Sequence, residues 1–339
     1  MIGSMDIALS SRVRLARNLK DYPFPSRMTD AQVHDLIDEV DAAINKNGEY
    51  LLMRMENLPQ RERKLLVERH MISPDLAKTQ RGAAFINREE TVSIMVCEED
   101  HLRIQCIEPG LNLKQADAIC AAIDQALSKE LAYAFDNEFG YLSACPTNIG
   151  SGMRASVMLH LPALSLIGQC DGILAAITKL GYAVRGIYGE GSGAPGHIYQ
   201  ISNQMTLGIL EEDILTNLAA TVQHIIDREK SVREPFYKGN RVELEDRIFR
   251  SLGALRYARR LGTGETMEYL SNLKLGASLG ILPEDAQAIC NRLLTDIQGA
   301  SLETRLGKEL DRSQRAQARA TLLRSELHSL DDHIANDET

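Results

Sequence analysis

Apolar residues recur at helical spacing early in the chain. In TDAQVHDLIDEVDAAIN they stand three or four positions apart, at Val33, Leu36, Ile37, Val40 and Ile44. This period is typical of a helix with one buried face. Thr29 and Gln32 have the spacing of a capping box, in which each side chain bonds the backbone N–H of the other residue. The pattern therefore predicts a helix that begins just after Thr29.

Short apolar runs with β-branched residues follow. GAAFINR, TVSIMVCE and LRIQCIE are separated by the charged turns REE and EED, and each predicts a strand. Because a parallel crossover needs a dozen or more residues, these short links predict antiparallel pairing. A helix is predicted near 113–130. YLSAC, ASVMLHL, AVRGIY and HIYQIS then predict strands, with a helix around 171–180 between the middle two. The fold class is therefore α+β, a mostly antiparallel sheet flanked by helices.

The strand pattern ends at about Glu211. The remaining segments, among them DILTNLAATVQHIIDRE and EDAQAICNRLLTDI, have helical periodicity with polar or glycine breaks. Pro235 and Gly239 punctuate the join between the two patterns. We therefore predict an α+β domain over residues 1–232 and an all-helical C-terminal domain over 233–339.

Composition and charge narrow the classes of function. The chain has 339 residues, 44% hydrophobic and 25% charged, which suits roughly two folded domains. The net charge of −9 argues against a nucleic-acid partner and favours cationic substrates and basic protein partners. Six cysteines without a C-x-x-C pair argue against a zinc site or a disulfide scaffold and for a reducing compartment. We find no membrane-spanning run or leader peptide and expect a cytoplasmic protein.

The chemistry-bearing residues are arginines in strand or turn contexts. They are Arg12, Arg14, Arg103, Arg154 and Arg185. Arg12 and Arg14 are two positions apart, so an extended chain would point both to one face. The sequence has no G-x-x-x-x-G-K-[ST] phosphate loop, no H-R-D with D-F-G and no H-E-x-x-H. Several guanidinium groups can hold a polyphosphate without such a loop, because each matches phosphate oxygens as a bidentate fork.

Carboxylates lie in or beside the same segments. Glu98 and Glu99 belong to CEEDHLR, and Glu190 belongs to RGIYGEG. A guanidinium substrate would need such groups. Taken singly, each of these charged residues fits a solvated surface position better than a functional one. Taken together, they fit a site for a polyphosphate and a guanidinium.

Five blocks together resemble the phosphagen (guanidino) kinases. The blocks are SSRVRLARN, CEEDHLRIQ, CPTNIGSGMRASV, RGIYGEG and YQISNQMTLG, in the family's order over about residues 8–210. This sequence lacks the small helical domain that precedes the catalytic domain in creatine and arginine kinases, and it adds a helical C-terminal domain. That architecture resembles the bacterial protein-arginine kinases, a branch that phosphorylates arginine side chains within proteins. The resemblance implies ATP and Mg²⁺.

The resemblance also implies site residues. The clamp on the nucleotide phosphates would consist of Arg12, Arg14, Arg103, Arg154 and Arg185. Glu99 and Glu190 would hold and deprotonate the substrate guanidinium, and Cys145 would face it as a thiolate. The alternative for Cys145 is a buried, inert thiol. The family commonly has a histidine near the adenine where this chain has Met158, whose sulfur can also pack against an aromatic ring. We interpret His101 as structural, because the carboxylates already supply the base.

The C-terminal domain of this branch can dimerise the enzyme and can carry a phosphoarginine-sensing motif, R-D-x-x-R-A. This chain has RAQARA, so Arg315 and Arg319 match, whereas Ala316 replaces the aspartate. The resemblance implies a homodimer and marks Arg315 and Arg319 as regulatory candidates. Because the aspartate would bind the N–H donors of a phosphoarginine, its loss argues against sensing. A helical surface stripe is the alternative.

The resemblance further implies substrates and partners. Proteins with exposed arginines would be phosphorylated, including a winged-helix heat-shock repressor, in bacterial heat-shock regulation and protein quality control. A zinc-binding activator adaptor and Clp-type unfoldase and protease machinery would be further partners. Two alternatives remain open: a kinase for free arginine or another small guanidino compound, and a catalytically inactive adaptor for arginine-bearing partners.

Overall fold

A computed structural model describes residues 6–44, 46, 50–186 and 194–328. Within these ranges eight strands form one sheet and two form a separate hairpin. The strands are β1 (Ala8–Arg17), β2 (Tyr50–Arg54), β3 (Ala83–Asn87), β4 (Val92–Val96), β5 (Leu102–Pro109), β6 (Phe135–Asp136), β7 (Gly140–Tyr141), β8 (Met153–His160), β9 (Tyr182–Gly186) and β10 (Ile198–Asn203).

Helices lie between the strands along the chain and also follow the last strand. They are α1 (Asp30–Ile44), α2 (Gln60–Glu68), α3 (Pro74–Lys78), α4 (Leu113–Leu127), α5 (Pro162–Leu166), α6 (Cys170–Lys179), α7 (Glu211–Gly239), α8 (Arg241–Tyr257), α9 (Thr263–Ser278), α10 (Asp285–Asp296), α11 (Gly299–Leu306) and α12 (Arg312–Glu326). Short 3-10 turns occupy Pro25–Arg27, Met55–Asn57, Pro146–Asn148 and Pro195–His197. None of the helices in the described ranges is long and apolar enough to cross a membrane.

The large sheet has the order β2-β3-β4-β5-β1-β8-β10-β9. Every neighbouring pair in it is antiparallel. Helix α4 packs against β1 and β5, α7 against β8 and β10, and α6 against β9. The predicted α+β class, with a mostly antiparallel sheet flanked by helices, is confirmed.

Local signals explain why the first helix begins where it does. The Gln32 backbone N–H donates to the Thr29 hydroxyl at 3.3 Å, and the Thr29 N–H donates to the Gln32 side chain at 2.9 Å. This is the predicted capping box. Val33, Leu36 and Val40 then bury the apolar face of α1, as their spacing predicts.

Strand β1 shows how the sheet divides its two faces. Val13 and Leu15 lie in the hydrophobic core beneath the helices, together with Ile104 of β5. Because alternate residues of a strand point to opposite faces, Arg12 and Arg14 lie on the other face. The alternation in SSRVRLARN therefore separates a core side from a charged side.

The apolar residues form a separate core in each half of the chain. The first joins the sheet to α1, α4 and α7. The second core lies among the helices α8 through α12. It includes Ile198 of β10, so the C-terminal helices also pack against the end of the sheet. A smaller cluster lies between α2, α3 and strands β3 and β4, around Leu66, Leu76 and Met95.

Helix α7 runs across the predicted domain boundary at 232/233. It continues through Pro235, although proline lacks the N–H that the helix would use there, and ends at Gly239. Pro235 and Gly239 thus lie in the last turns of one helix and do not mark a loop. The assignment of 1–232 and 233–339 as domains stays a prediction.

The predicted strand YLSAC is wrong beyond its first residue. Tyr141 ends β7, and beyond the next residue two backbone N–H groups bond side chains instead of a neighbouring strand. The Ala144 N–H donates to the Asp100 carboxylate at 2.8 Å, and the Cys145 N–H donates to the Ser143 hydroxyl at 3.1 Å. A buried carboxylate far away in the sequence therefore overrides the local β pattern.

Candidate functional site

Five arginines lie on one face of the large sheet. They are Arg12 and Arg14 on β1, Arg103 on β5, Arg154 on β8 and Arg185 on β9. Arg14 stands directly opposite Arg154, and Arg103 stands opposite Ala16 on β1. Arg185 reaches the same face through the register of β9, β10 and β8, opposite Gln200. Antiparallel pairing thus gathers arginines that are up to 173 positions apart in the numbering, from 12 to 185.

The arginine face concentrates positive charge. Burial, and after it the charges of Arg103, Arg154 and Arg185, lower the pKa of Arg12 to about 10. The pKa of Arg14 is also lowered, first by burial and then by neighbouring arginines, while Glu98 acts in the opposite direction. The Arg14 Nε is buried and has no hydrogen-bond partner among the described residues. An anion with several oxygens would satisfy these groups.

Glutamates of the β4–β5 turn hold Arg103. Its guanidinium lies 2.6 Å from the Glu98 carboxylate and 3.3 Å from that of Glu99. The Glu98 side chain is 6% exposed and accepts a hydrogen bond from the Ser73 hydroxyl at 2.5 Å. The Glu99 side chain is 44% exposed. Glu98 is therefore anchored for holding Arg103, whereas Glu99 has a carboxylate that a ligand can reach.

A small pocket adjoins the arginine face at Arg12. It is lined by Ser10, Arg12, His70, Ile107, Ser156, Met158 and Gln200. The pocket includes Met158, which the sequence places beside the adenine by resemblance. It also includes His70, which the sequence analysis missed. His70 lies between α2 and α3 in a left-handed conformation with φ of 62°, and no local pattern marks such a residue as part of a site.

Cys145 lies at the start of the 3-10 turn Pro146–Asn148. Its thiol is only partly buried, whereas the other five cysteines are buried. The sulfur lies 3.1 Å from the Thr147 hydroxyl. This exposure argues against the alternative of a buried, inert thiol.

Asp100 positions the Cys145 turn. It is 1% exposed and accepts hydrogen bonds from the Ser143 hydroxyl at 2.8 Å and the Ala144 N–H at 2.8 Å. The Asn18 amide also donates to it at 2.7 Å. Because Asp100 follows Glu99 directly, one buried carboxylate joins the Glu99 turn to the Cys145 turn.

Glycines allow the chain between Cys145 and Arg154 to approach its neighbours closely. Gly150 has φ of 111°, and a Cβ there would lie 2.5 Å from the Thr206 carbonyl oxygen. Gly152 has φ of 66°, and a Cβ there would lie 2.6 Å from the Ala16 carbonyl oxygen. Both contacts exclude a larger residue. The Gly-Ser-Gly sequence thus lets one loop carry both Cys145 and Arg154.

His101 is structural, as the sequence analysis interprets it. Its Nδ1 accepts a hydrogen bond from the Leu19 N–H at 2.9 Å, and its Nε2 donates to the Pro23 carbonyl oxygen at 2.8 Å. Burial lowers the pKa of its imidazole. With both nitrogens bonded to the backbone, His101 has no free atom for proton transfer.

Glu190 lies outside the described residues, as does most of RGIYGEG beyond Gly186. The structure brings Glu99 to Arg103 and places Arg185 on the arginine face. It does not test the predicted pairing of Glu99 with Glu190.

The regulatory candidates of the C-terminal helices have different surroundings. Arg319 is 4% exposed and donates to the Ile297 and Leu261 carbonyl oxygens, each at 2.8 Å. Arg315 is partly exposed and lines a cleft of about 620 Å³ between α2, α3 and the C-terminal helices. Arg319 therefore supports the helix packing. A regulatory role for either residue stays a prediction.

Comparison with known families covers most of the chain. The family described as "ATP:guanido phosphotransferase, C-terminal catalytic domain" matches residues 32–232. The family described as "Protein-arginine kinase McsB C-terminal domain" matches residues 241–338.

Curated relatives match over nearly their full length. The protein-arginine kinase of Brevibacillus brevis is 46% identical over 328 residues, which cover 95% of this chain and 92% of the relative. The protein-arginine kinase of Moorella thermoacetica is 47% identical over 326 residues, which cover 94% of this chain and 93% of the relative.

Solved structures share the fold of the catalytic part. The duplicated taurocyamine kinase from Schistosoma mansoni, with bound transition state analog components, is 27% identical with a TM-score of 0.60. The match covers 69% of this chain and 34% of that one, so the matched part of this chain corresponds to about a third of the duplicated protein. Lombricine kinase, 24% identical with a TM-score of 0.60 and 68% of each chain covered, has a similar fold.

Proposed function

This chain belongs to the ATP:guanido phosphotransferases, and within them to the protein-arginine kinases, and from that premise we propose that its arginine face binds the phosphates of ATP. It is an enzyme that phosphorylates arginine. The acceptor in this proposal is the guanidinium nitrogen of an arginine side chain within a protein. Glu99 and Glu190 receive that guanidinium.

The observation that carries the proposal is the arginine face itself. Five guanidinium groups share one side of the sheet, and the pKa of Arg12 and that of Arg14 are lowered by burial and by neighbouring arginines. Such a cluster destabilises the protein unless an anion is bound. A triphosphate supplies that charge and offers acceptor oxygens to the unpartnered Arg14 Nε.

Magnesium fits this site through the nucleotide. The described residues contain no group of three or more histidine, cysteine or acidic side chains that could hold a metal ion. Mg²⁺ in kinase sites is commonly held by substrate phosphates and water with few protein ligands. When bound, it would neutralise part of the charge on the phosphates.

The reaction is a phosphoryl transfer in which the protein positions the reactants. The guanidinium is protonated far above neutral pH. In the proposal, Glu99 and Glu190 align it by charge-assisted hydrogen bonds, and one carboxylate accepts the proton. The N–P bond forms while the bond between the γ-phosphorus and the ADP oxygen breaks. Cys145 faces the same guanidinium from the neighbouring turn.

The proposal also extends to heat-shock regulation and protein quality control in the bacterial cytoplasm. Its partners are a heat-shock repressor as substrate, a zinc-binding activator adaptor and Clp-type machinery. The net charge of −9 supports basic protein partners. A homodimer is supported by one face of α8, where Val242, Phe249 and Tyr257 are 74%, 41% and 72% exposed and follow one another at helical spacing.

A direct test incubates the purified protein with Mg·ATP and casein. Phosphate is then mapped by mass spectrometry under non-acidic conditions, because the P–N bond is acid-labile. We expect phosphate on casein arginines, its loss in Glu190→Ala with ATP binding largely kept, and weakened ATP binding in Arg185→Ala. ADP release with free arginine alone, and no phosphoarginine on casein, would identify a small-guanidine kinase. No turnover with any arginine substrate would identify an inactive adaptor.

A further inference from the structure

Exposed apolar side chains are concentrated beside the Cys145 turn. We define the rim as residues 135–149 and 204–213. Of the 12 large hydrophobic side chains that are exposed in the described part of the chain, five belong to the rim. They are Phe135 (54% exposed), Phe139 (47%), Met205 (62%), Leu207 (49%) and Leu210 (73%). Exposed apolar residues scattered singly are normal, but a concentration at one place is typical of an interaction site.

Hydrogen bonds join the two segments of the rim. The Thr206 hydroxyl lies within donating distance of the Thr147 and Ile149 carbonyl oxygens, at 2.9 and 2.7 Å. The Tyr141 N–H donates to the Gly150 carbonyl oxygen at 2.8 Å. The β6–β7 hairpin, the Cys145 turn and the segment around Thr206 are therefore one connected surface. Cys145 itself belongs to this surface.

All charged residues of the rim are acidic. Its sequences, FDNEFGYLSACPTNI and QMTLGILEED, contain Asp136, Glu138, Glu211, Glu212 and Asp213 but no lysine or arginine. Such a surface attracts a chain that carries arginines. It disfavours the rim of a second copy of this protein as the occupant, because like charges would then face one another. Free arginine is too small to use apolar side chains on both segments.

We propose that the rim is the docking surface for an unfolded polypeptide segment whose apolar residues flank the target arginine. This inference rests on the proposed function and deepens it, since it names the recognised feature of the substrate. Folded proteins bury their apolar side chains, so the rim selects arginines in unfolded or extended segments. The acidic side chains of the rim attract the cationic segment, and its apolar side chains bind the apolar residues of that segment.

The test compares two blocked peptides with one central arginine each. One peptide has Leu, Phe and Val flanks, and the other has Gly and Ser flanks. Phosphoarginine formation with Mg·ATP gives kcat/KM for both. The rim variant carries Phe139→Ser, Met205→Ser and Leu207→Ser. The matched control carries Leu51→Ser, Leu180→Ser and Leu306→Ser, which are 61%, 72% and 50% exposed and lie outside the rim.

We expect wild type and the control to prefer the apolar-flanked peptide by about tenfold in kcat/KM, mainly through KM, since burial of a few apolar side chains provides at least that much affinity. The rim variant should lose the preference. A preference that persists in the rim variant, or a wild type without one, would overturn the docking surface and leave the proposed function intact. A wild type that phosphorylates neither peptide nor casein would overturn both. Met205→Ser alone, expected to reduce the preference, replaces the triple variant if thermal melts show that the latter is unfolded.

Discussion

The Asp100 carboxylate accepts a hydrogen bond from the Ser143 hydroxyl at 2.8 Å. This contact joins the turn that carries Glu99 to the turn that carries Cys145. In the proposed mechanism both turns face the substrate guanidinium, whereas the phosphate-binding arginines lie on strands. The two halves of the site are therefore held by different means: sheet register positions the arginines, and one buried carboxylate positions the turns.

We expect Asp100→Asn to lower kcat by tenfold or more while the KM for ATP changes little. The Ala144 N–H and the Asn18 amide donate to the same Asp100 oxygen, so the asparagine would keep its oxygen there and turn its NH₂ toward the Ser143 hydroxyl. Loss of that buried hydrogen bond to a charged group costs about 1.5–3 kcal/mol. A tenfold change in rate corresponds to about 1.4 kcal/mol. Steady-state kinetics at varied ATP and peptide provide the measurement.

The control for this variant is Asp75→Asn, because the Asp75 carboxylate is 78% exposed and pairs only at the surface with Lys78. Asp100→Glu should recover part of the activity, since it restores the charge. An Asp100→Asn enzyme with unchanged kcat would remove Asp100 from the positioning of the site. If the KM for ATP rose by the same factor by which kcat fell, the substitution would have disrupted the whole site, including the ATP-binding part, and not only the two turns.

Local patterns predict the elements and the arginine face but not the contacts between distant segments. The capping box at Thr29 and the alternation around Arg12 are signals within a few residues, and both are found in the structure. Asp100 and Ser143 are 43 positions apart, and nothing in either segment identifies the partner. The incorrect strand at YLSAC has this cause, and His70 was missed for the same reason.

Arg12→Gln should stabilise the protein without nucleotide. Its folded pKa of about 10 lies below the usual pKa of an arginine, so the charge reduces stability at neutral pH. That cost would be relieved only as the pH rises above about 10. Removal of the charge should raise the melting temperature by a few degrees. In contrast, the rise in melting temperature on adding Mg·ATP should shrink, because one phosphate contact is lost.

Differential scanning fluorimetry with and without Mg·ATP measures both effects. The matched control is Arg69→Gln, whose guanidinium forms an exposed pair with Glu90, and which should change neither melting temperature appreciably. A lower melting temperature for Arg12→Gln without nucleotide would show that the arginine contributes to stability more through its contacts than it costs through its charge.

Arg319→Met and Arg315→Met should differ in stability. Arg319 donates to the Ile297 and Leu261 carbonyl oxygens in the C-terminal core, so its replacement leaves buried acceptors unpaired, at a cost of about 1–3 kcal/mol. Arg315 is partly exposed, and its nearest carboxylate contact, with Glu303, is 3.8 Å. Urea denaturation monitored by circular dichroism should show a lower midpoint for Arg319→Met only. Equal midpoints would contradict the structural role of Arg319.

The Glu68 carboxylate connects the catalytic part to the C-terminal helices. Its replacement by a neutral side chain should increase local opening of the backbone in both regions. It accepts hydrogen bonds from the Ala300 and Ser301 N–H groups, each at 2.8 Å, at the positive N-terminal end of α11. Glu68 also ends α2, two residues before His70 in the pocket beside Arg12. In Glu68→Gln, hydrogen exchange should speed up in α11 and around His70, and the KM for ATP should rise about twofold, since a cap of this kind is worth about 1 kcal/mol.

Glu62→Gln, on the exposed side of α2, is the matched control. Faster exchange in α11 with an unchanged pocket would limit Glu68 to holding the helices, and unchanged exchange in both places would contradict the connection.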